Sequence, residues 1–500
     1  IGGYYLNINS RFYSNNIVSF LVKKGNRRFQ LNRGNTMQKN QNQLQRGLEE
    51  RHITLMSLGA AIGVGLFLGS ATAIKLAGPG IILGYAFAGM IMFFIMRALG
   101  EMAIQKPVAG SFSQYARDYL GALPGFLTGW NYWFLWVVTC MAEITAAGIY
   151  MEYWFPSVPR WIWALAALVI MASVNFLHVK AYGELEFWFA LIKIVTIIFM
   201  IVSGIGMIVL GIGNGGIATG ISNLWENGGI LPNGITGVLM SLQMVMFAFL
   251  GIEMIGITAG EVKNPEKTLS RAIDSVFWRI LIFYVGALFV IMSIYPWTEI
   301  GAQGSPFVLT FDKLGIPAAA GIINFVVLTA ALSSCNGGIF STARMLFNLA
   351  ENDEAPKGLG KLNKNGVPSL AVLVTAGALL VGVVLNYLVP AKVFTWVTAI
   401  STFGAIWTWS MILLSQIKYR KGLTPSQLSG LKYKMPLFPF TSYVSLAFLL
   451  LVVGLMAIFP DTRIALIVGP LWLGILTAFY YGKGYHKRGK LEQEKVKQVG

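Results

Sequence analysis

Long, almost uncharged apolar runs dominate this chain and are separated by short polar stretches. Crossing the hydrocarbon of a bilayer as a helix takes about 20 residues. Twelve runs meet that length or approach it: 53–74, 80–100, 125–154, 161–178, 186–211, 234–259, 277–296, 318–346, 367–388, 393–417, 440–459 and 463–482. Lipid-exposed backbone must satisfy its own hydrogen bonds, and barrel strands are segments of about 10 residues that alternate in polarity. The pattern therefore predicts an all-α membrane protein with twelve transmembrane helices.

Charge gives the expected orientation. Lys75, Arg160, Lys313, Lys392 and Arg463 fall on one side of the alternating spans, Lys193 lies inside a span, and the rest of the 38 Lys and Arg residues fall on the other side. The positive-inside rule makes that basic side cytoplasmic and puts both termini there. Composition agrees. Hydrophobic residues make up 55% of the 500 and charged residues 12%, with a mean hydropathy of +0.64. Soluble domains carry about 25% charged residues, so a string of soluble domains is excluded. The net charge of +17 does not mark a nucleic-acid surface, because the basic residues are spread over short loops.

The segments divide the chain. Residues 1–36 are polar, basic and Asn-rich, with neither helical periodicity nor a signal-peptide core. Met37 opens a polar lead into the first span, so 1–36 is expected to be an upstream or disordered extension and 37–52 the cytoplasmic N-terminal segment. Two sets of five spans follow, 53–211 and 234–417. Two more helices lie in 440–482, and a basic cytoplasmic tail in 483–500. The polar stretches after the second and sixth spans are expected to form short interfacial helices, with Pro265 and Glu266 suited to a helix start.

Cys140 and Cys335 lie inside apolar runs and provide no disulfide framework. His52, His178 and His486 are not spaced for a metal. No GxxxxGK[ST] loop is present, so neither a nucleotide nor another cofactor is expected.

Two spans carry internal breaks. Gly63 and Gly65 stand near the middle of the first, where glycine costs about 1 kcal/mol relative to alanine. Local unwinding there exposes N–H groups at the start of the outer half-helix, and these with the helix dipole hold a carboxylate. Close helix packing explains the same glycines, since Gly59, Gly63, Gly65 and Gly69 also form small-xxx-small pairs. The sixth span favours unwinding. Gly251 interrupts it and Glu253 follows, and a carboxylate at that depth costs at least ~2.5 kcal/mol unless it faces a cavity or partner. Interrupted spans in corresponding positions of inverted halves point to a transporter site. In that geometry the first break takes the anionic end of a substrate. The carbonyls around Phe247 to Gly251 take the cationic end, which implies a zwitterion.

Glu143, Lys193 and Glu253 are ionisable groups deep in apolar spans, each expensive unless paired or hydrated, and each is a candidate for proton coupling. Lys193 also lies near enough to a span end to snorkel. Glu143 also suits an interhelical hydrogen bond. Ser333 and Ser334 in the eighth span are possible pocket or coupling residues, although membrane serines often bond their own backbone.

Five stretches, AAIGVGLFLGSATAIKLAGPG, MRALGEMA, GELEFWFALIKI, FAFLGIEMIGITAGEVKNPEKT and STARMLFNLAENDEAPK, together resemble bacterial permeases of the amino acid–polyamine–organocation superfamily, in its amino acid transporter branch. The likeness runs from about Leu44 to Lys487. It implies a LeuT-like fold of two inverted five-helix repeats plus two C-terminal helices. By motif, the carboxylate-binding stretch falls on Ala61, Ile62, Gly63, Val64 and Gly65. The unwound sixth helix falls on Phe247, Ala248, Phe249, Leu250 and Gly251, with Glu253 as the adjoining acid. The fifth-helix lysine of proton-coupled relatives falls on Lys193. Val64 departs from the pattern, since many members carry threonine there.

The resemblance implies a secondary transporter of the bacterial cytoplasmic membrane that imports a small neutral amino acid with protons, the proton gradient being the energy source. Some stretches look most like proline-specific permeases and others like D-serine/D-alanine/glycine permeases, so proline is the expected substrate with the second group as the alternative. An exchanger of the same fold and a non-transporting amino acid sensor remain as other readings. Membrane lipid is an expected partner. An enzyme is not expected, because no nucleophile–base pair or metal cluster lies at depth.

Overall fold

Helices account for nearly all regular structure in the computed structural model, which describes residues 62–108, 110–177, 179–258, 265–300, 305–313 and 319–486. The expected segments 1–36 and 37–52, nearly all of the 483–500 tail, and Ala61 lie outside the described residues. The described residues belong to one unit, Arg46–Gly500.

The chain enters through α1 (Val64–Phe67) and α2 (Gly69–Ala77), which are separated at Leu68. A Gly-Pro-Gly turn with Gly78 at φ 59° then leads to α3 (Ile81–Gln105). That positive φ is open to glycine and strained for a residue with a Cβ. Next come α4 (Ser111–Leu120), α5 (Ala122–Glu152), α6 (Arg160–Val174) and α7 (Val179–Leu210). The second half opens with α8 (Gly234–Ala248) and α9 (Met254–Thr258). It continues through α10 (Pro265–Arg279) and α11 (Ala287–Ile294), joined by a wide π turn at Ile280–Gly286. Then follow α12 (Ala319–Glu351), α13 (Ser369–Leu388), α14 (Val393–Lys421), α15 (Phe440–Ile458) and α16 (Ile464–Gly482).

Nine helical stretches among the described residues are long and apolar enough to cross a membrane, and α6 and α8 are apolar but shorter. The expected interfacial helix after the second span is α4. The stretch after the sixth span is α10, described from Pro265 onward. It runs on into the seventh span because Leu269, Ala272, Ile273, Val276 and Ile280 make one buried stripe at helical spacing.

The most enclosed pair is α5 and α12, which pack along each other at the centre. By contrast α7 buries only one stripe, Gly183, Glu186, Ala190, Lys193, Ile197 and Met200, while Val195, Phe199 and Val202 face outward. An apolar exterior of this kind suits lipid. Two ionisable groups thus sit on the single face that α7 turns inward.

At the basic end, the segment between α14 and α15 folds back over α3 and α10. Buried Glu101 on α3 accepts from Arg420 Nε at 2.7 Å and Nη2 at 2.8 Å, and from the Met435 N–H at 2.6 Å. Arg97 bonds Asp274 at 2.8 Å and stacks 3.7 Å from the Tyr433 ring, whose hydroxyl donates to Asp274 at 2.7 Å.

Candidate functional site

The sixth span stops at Ala248 and resumes at Met254, and Gly251 between them has φ 98°. The left-handed backbone there explains why glycine occupies the break. In the first span Gly63 is extended, with φ −117° and ψ −163°, and is the residue from which α1 starts. The carbonyl of Gly63 receives the N–H of Leu66 at 3.2 Å and of Phe67 at 3.3 Å.

The start of α1 and the end of α8 meet. A Cβ on Gly65 would stand 2.5 Å from the Cα of Ala248, and a Cβ on Gly63 would stand 2.9 Å from Glu143 Oε1 and 3.2 Å from Ser334 Oγ. The hollow beside them is small and is lined by Gly63, Gly65, Trp136, Thr139, Glu143, Phe247, Ala248, Leu250 and Ser334. Of the residues expected at the site, it brings together Gly63, Gly65, Phe247, Ala248, Leu250, Glu143 and Ser334. Ile62, Val64 and Phe249 are buried without lining it, and Gly251 lies in the turn behind it.

The start of α1 faces an acid of the protein itself. Glu143 approaches the Val64 N–H and the Ser334 hydroxyl, while its Oε2 is buried without a hydrogen-bond partner. The carbonyl side differs from the expectation of a bare set. The Ala248 carbonyl accepts from the Tyr284 hydroxyl at 2.9 Å, and the Phe247 carbonyl accepts from the Leu250 N–H at 3.1 Å. Turn hydrogen bonds thus absorb part of what unwinding frees.

Lys193 is fully buried, not snorkelling. Its Nζ donates to the Ile62 carbonyl at 3.2 Å, beside the first break, and it lies in the fields of Glu143 and Glu186. Glu253 folds back so that Oε2 accepts the Gly251 N–H at 3.2 Å. The indoles of Trp136 and Trp409 and the phenol of Tyr132 face it. Glu253 Oε1, Trp136 Nε1, Trp409 Nε1 and the Tyr132 hydroxyl oxygen are each buried without a completed hydrogen bond.

Ser333 and Ser334 separate in role. Ser334 lines the hollow, whereas Ser333 donates to Glu186 at 2.5 Å. Glu186 is not singled out by the sequence, because it stands at the first position of its apolar run, where a carboxylate reads as the run's edge. Thr139 is missed too, and Trp136, which from sequence reads as a packing or belt aromatic rather than part of a substrate cage, lines the hollow. The two stand four and seven residues before Glu143 on α5, a helical-face spacing that groups them with it. Among the described residues no cluster of three or more metal-ligating side chains occurs.

Comparison with known proteins identifies the family. Residues 52–495 match the amino acid permease family model. The chain is 78% identical over 452 residues to the uncharacterized amino acid permease YtnA of Bacillus subtilis (strain 168), covering 90% of this chain and 98% of that protein. It is 50% identical over 457 residues to the probable threonine/serine transporter YbxG of the same organism, covering 91% and 99%. It is 45% identical over 443 residues to the aromatic amino acid transport protein AroP of Escherichia coli O6:H1, covering 88% and 96%. A chain with apolar helices long enough to span a bilayer, an interrupted sixth span that meets the start of α1 at a small hollow, and a family match over most of its length is a multi-pass membrane transporter rather than an enzyme, and it belongs to the amino acid permease family.

Proposed function

We propose that this chain imports a small neutral amino acid by proton symport with alternating access, across the bacterial cytoplasmic membrane and with both termini cytoplasmic. The proposed architecture is the LeuT-like fold that the family implies. It has twelve membrane helices, with 53–211 and 234–417 as inverted five-helix repeats and 440–482 as two further helices. The observation that carries the reading is the contact of α1 at Gly65 with the broken sixth span at Ala248, beside the hollow that Glu143 and Ser334 line.

The proposed chemistry follows from what each wall offers. N–H groups at the start of α1 bind the substrate carboxylate, and the irregular backbone from Phe247 to Gly251 binds its ammonium. Glu143 already approaches the Val64 N–H. A substrate carboxylate arriving there meets a like charge unless Glu143 carries a proton. Binding of one zwitterion is thereby linked to uptake of one proton. Lys193, Glu253 and Glu143 are the proposed coupling groups, with Lys193 tied to the first break through the Ile62 carbonyl. No other cofactor is invoked, and the proton gradient supplies the energy.

Glycine, alanine and serine on the walls of the hollow favour a small side chain, and the name of the relative YbxG supports a small polar or neutral substrate. Proline is the specific candidate from the sequence motifs, with the D-serine/D-alanine/glycine group beside it. The test is radiolabelled uptake in proteoliposomes under an imposed pH gradient, competed by L- and D-amino acids including proline, threonine, serine, glycine and phenylalanine. Acceleration by an inward proton gradient and competition by small neutral amino acids are expected. Counterflow with no response to the gradient indicates an exchanger and overturns symport.

A further inference from the structure

We propose that Glu186 carries the coupling proton between Lys193 and the cytoplasmic face, a role that rests on the symport reading above. Glu186 is 4% exposed and lies outside the substrate hollow. It stands seven residues before Lys193 on the one inward stripe of α7, about 10.5 Å lower along the axis. Side chains on a helix lean toward its N-terminus, so Lys193 reaches down toward Glu186. The two interact electrostatically.

The carboxylate is held where a relay needs it. Oε1 accepts from Ser333 at 2.5 Å and Oε2 from Asn336 Nδ2 at 3.4 Å, both on α12. Asn336 Oδ1 in turn accepts from Asn175 Nδ2 at 2.8 Å, at the end of α6. Asn175 lines a second hollow, bounded also by Leu177, Arg344, Gly366 and Pro368. That hollow lies at the end of the molecule where α6 stops and α13 begins, which is the basic end of the chain. A line of polar groups thus runs from the first helix break, through Lys193, Glu186, Asn336 and Asn175, to this hollow.

Charge counting supports a mobile proton. Glu143, Glu186 and Lys193 are 3%, 4% and 0% exposed. With all three ionised the group carries one net negative charge in an apolar interior, and one added proton neutralises it. The step balances simply. Through an intervening water the Lys193 ammonium gives its proton to the Glu186 carboxylate, leaving a neutral amine and a carboxylic acid. The acid then releases the proton to water that reaches it from the second hollow alongside the Asn336 and Asn175 amides, and becomes a carboxylate again. The charged groups facing this path are Lys193 on α7, Glu143 on α5 and Arg344 on α12, which lines the second hollow.

The experiment compares wild type, Glu186→Gln, Glu186→Asp and Asn175→Leu in proteoliposomes. Each is assayed for gradient-driven uptake and for exchange of labelled against unlabelled substrate without a gradient. The glutamine keeps the acceptor for Ser333, so exchange should stay within about threefold of wild type while gradient-driven uptake falls at least tenfold. Glu186→Asp should restore part of the gradient response. Asn175→Leu, far from both Lys193 and the substrate, should slow gradient-driven uptake several-fold and leave exchange alone. The proposal is overturned if Glu186→Gln responds to the gradient as wild type does, or if it loses exchange and driven uptake together while Asn175→Leu is unaffected. A wild type that ignores the gradient would instead remove the symport reading itself.

Discussion

Gly65 of the first broken helix rests on the backbone of Ala248, the last helical residue before the break in the sixth span. No side chain separates the two segments. A methyl group at Gly65 would meet the Ala248 Cα at 2.5 Å and its N at 3.0 Å, atoms that move only with the whole turn. Gly65→Ala is expected to abolish uptake and to destabilise the protein by about 1–3 kcal/mol, the usual effect of overpacking. At Gly63 the added methyl meets only the ends of the Glu143 and Ser334 side chains, which can turn aside. Gly63→Ala should retain near-normal thermal stability in detergent and lose substrate affinity. Equal melting shifts for the two variants would contradict the difference between backbone and side-chain contact.

Substrate binding should also depend on pH through Glu143. An incoming carboxylate is repelled by the ionised acid beside the Val64 N–H, so the bound complex takes up a proton. Affinity measured by ligand binding should fall as pH rises, by up to about tenfold per unit where one proton is linked. Glu143→Gln carries no charge at any pH and should flatten that dependence. A wild-type affinity independent of pH between 5 and 9 would remove Glu143 from coupling.

Much of this is legible in the sequence. Long uncharged runs fix helix positions to within a few residues, because a bilayer leaves backbone few alternatives. The break at Gly251 was legible for the same reason, since glycine and a carboxylate in an apolar span both demand explanation. Pairings across helices were not. Nothing in SSCNGG says that Ser333 turns to Glu186 and Ser334 to the hollow, because neighbouring residues on a helix point about 100° apart and only the partners decide which is used. Nor could the sequence say that Tyr284 would cap the Ala248 carbonyl, since a hydroxyl 36 residues away becomes a donor only through packing.

The pair of Glu101 and Arg420 ties α3 to α14 where both are buried, with side chains 0% and 9% exposed. Removing one partner leaves the other charge without compensation, an effect of about 3–5 kcal/mol for buried pairs. Arg420→Ala should therefore lower the melting temperature strongly. Glu101→Gln combined with Arg420→Met replaces both charges by uncharged groups of similar size and should recover most of the loss. A double variant as unstable as the single one would mean that packing around Arg420, rather than its charge, holds the joint.

Tyr433 gives the last prediction, at alkaline pH. It lies between α14 and α15, with its ring against Arg97 and its hydroxyl on Asp274. Burial, and then the hydrogen bond to Asp274, hold its phenol above the ordinary value of 10.0. The folded state therefore keeps the proton longer than the unfolded chain does. Its contribution to stability is fully present below about pH 10 and is lost as pH rises through the folded value. Tyr433→Phe cannot ionise and lacks the hydrogen bond. At pH 8 it should be less stable by about 0.5–1.5 kcal/mol. The gap between variant and wild type should narrow as melting curves are taken toward pH 11. A gap that widens with pH would show that the phenol ionises more readily in the folded state, against the burial and the Asp274 contact that surround it.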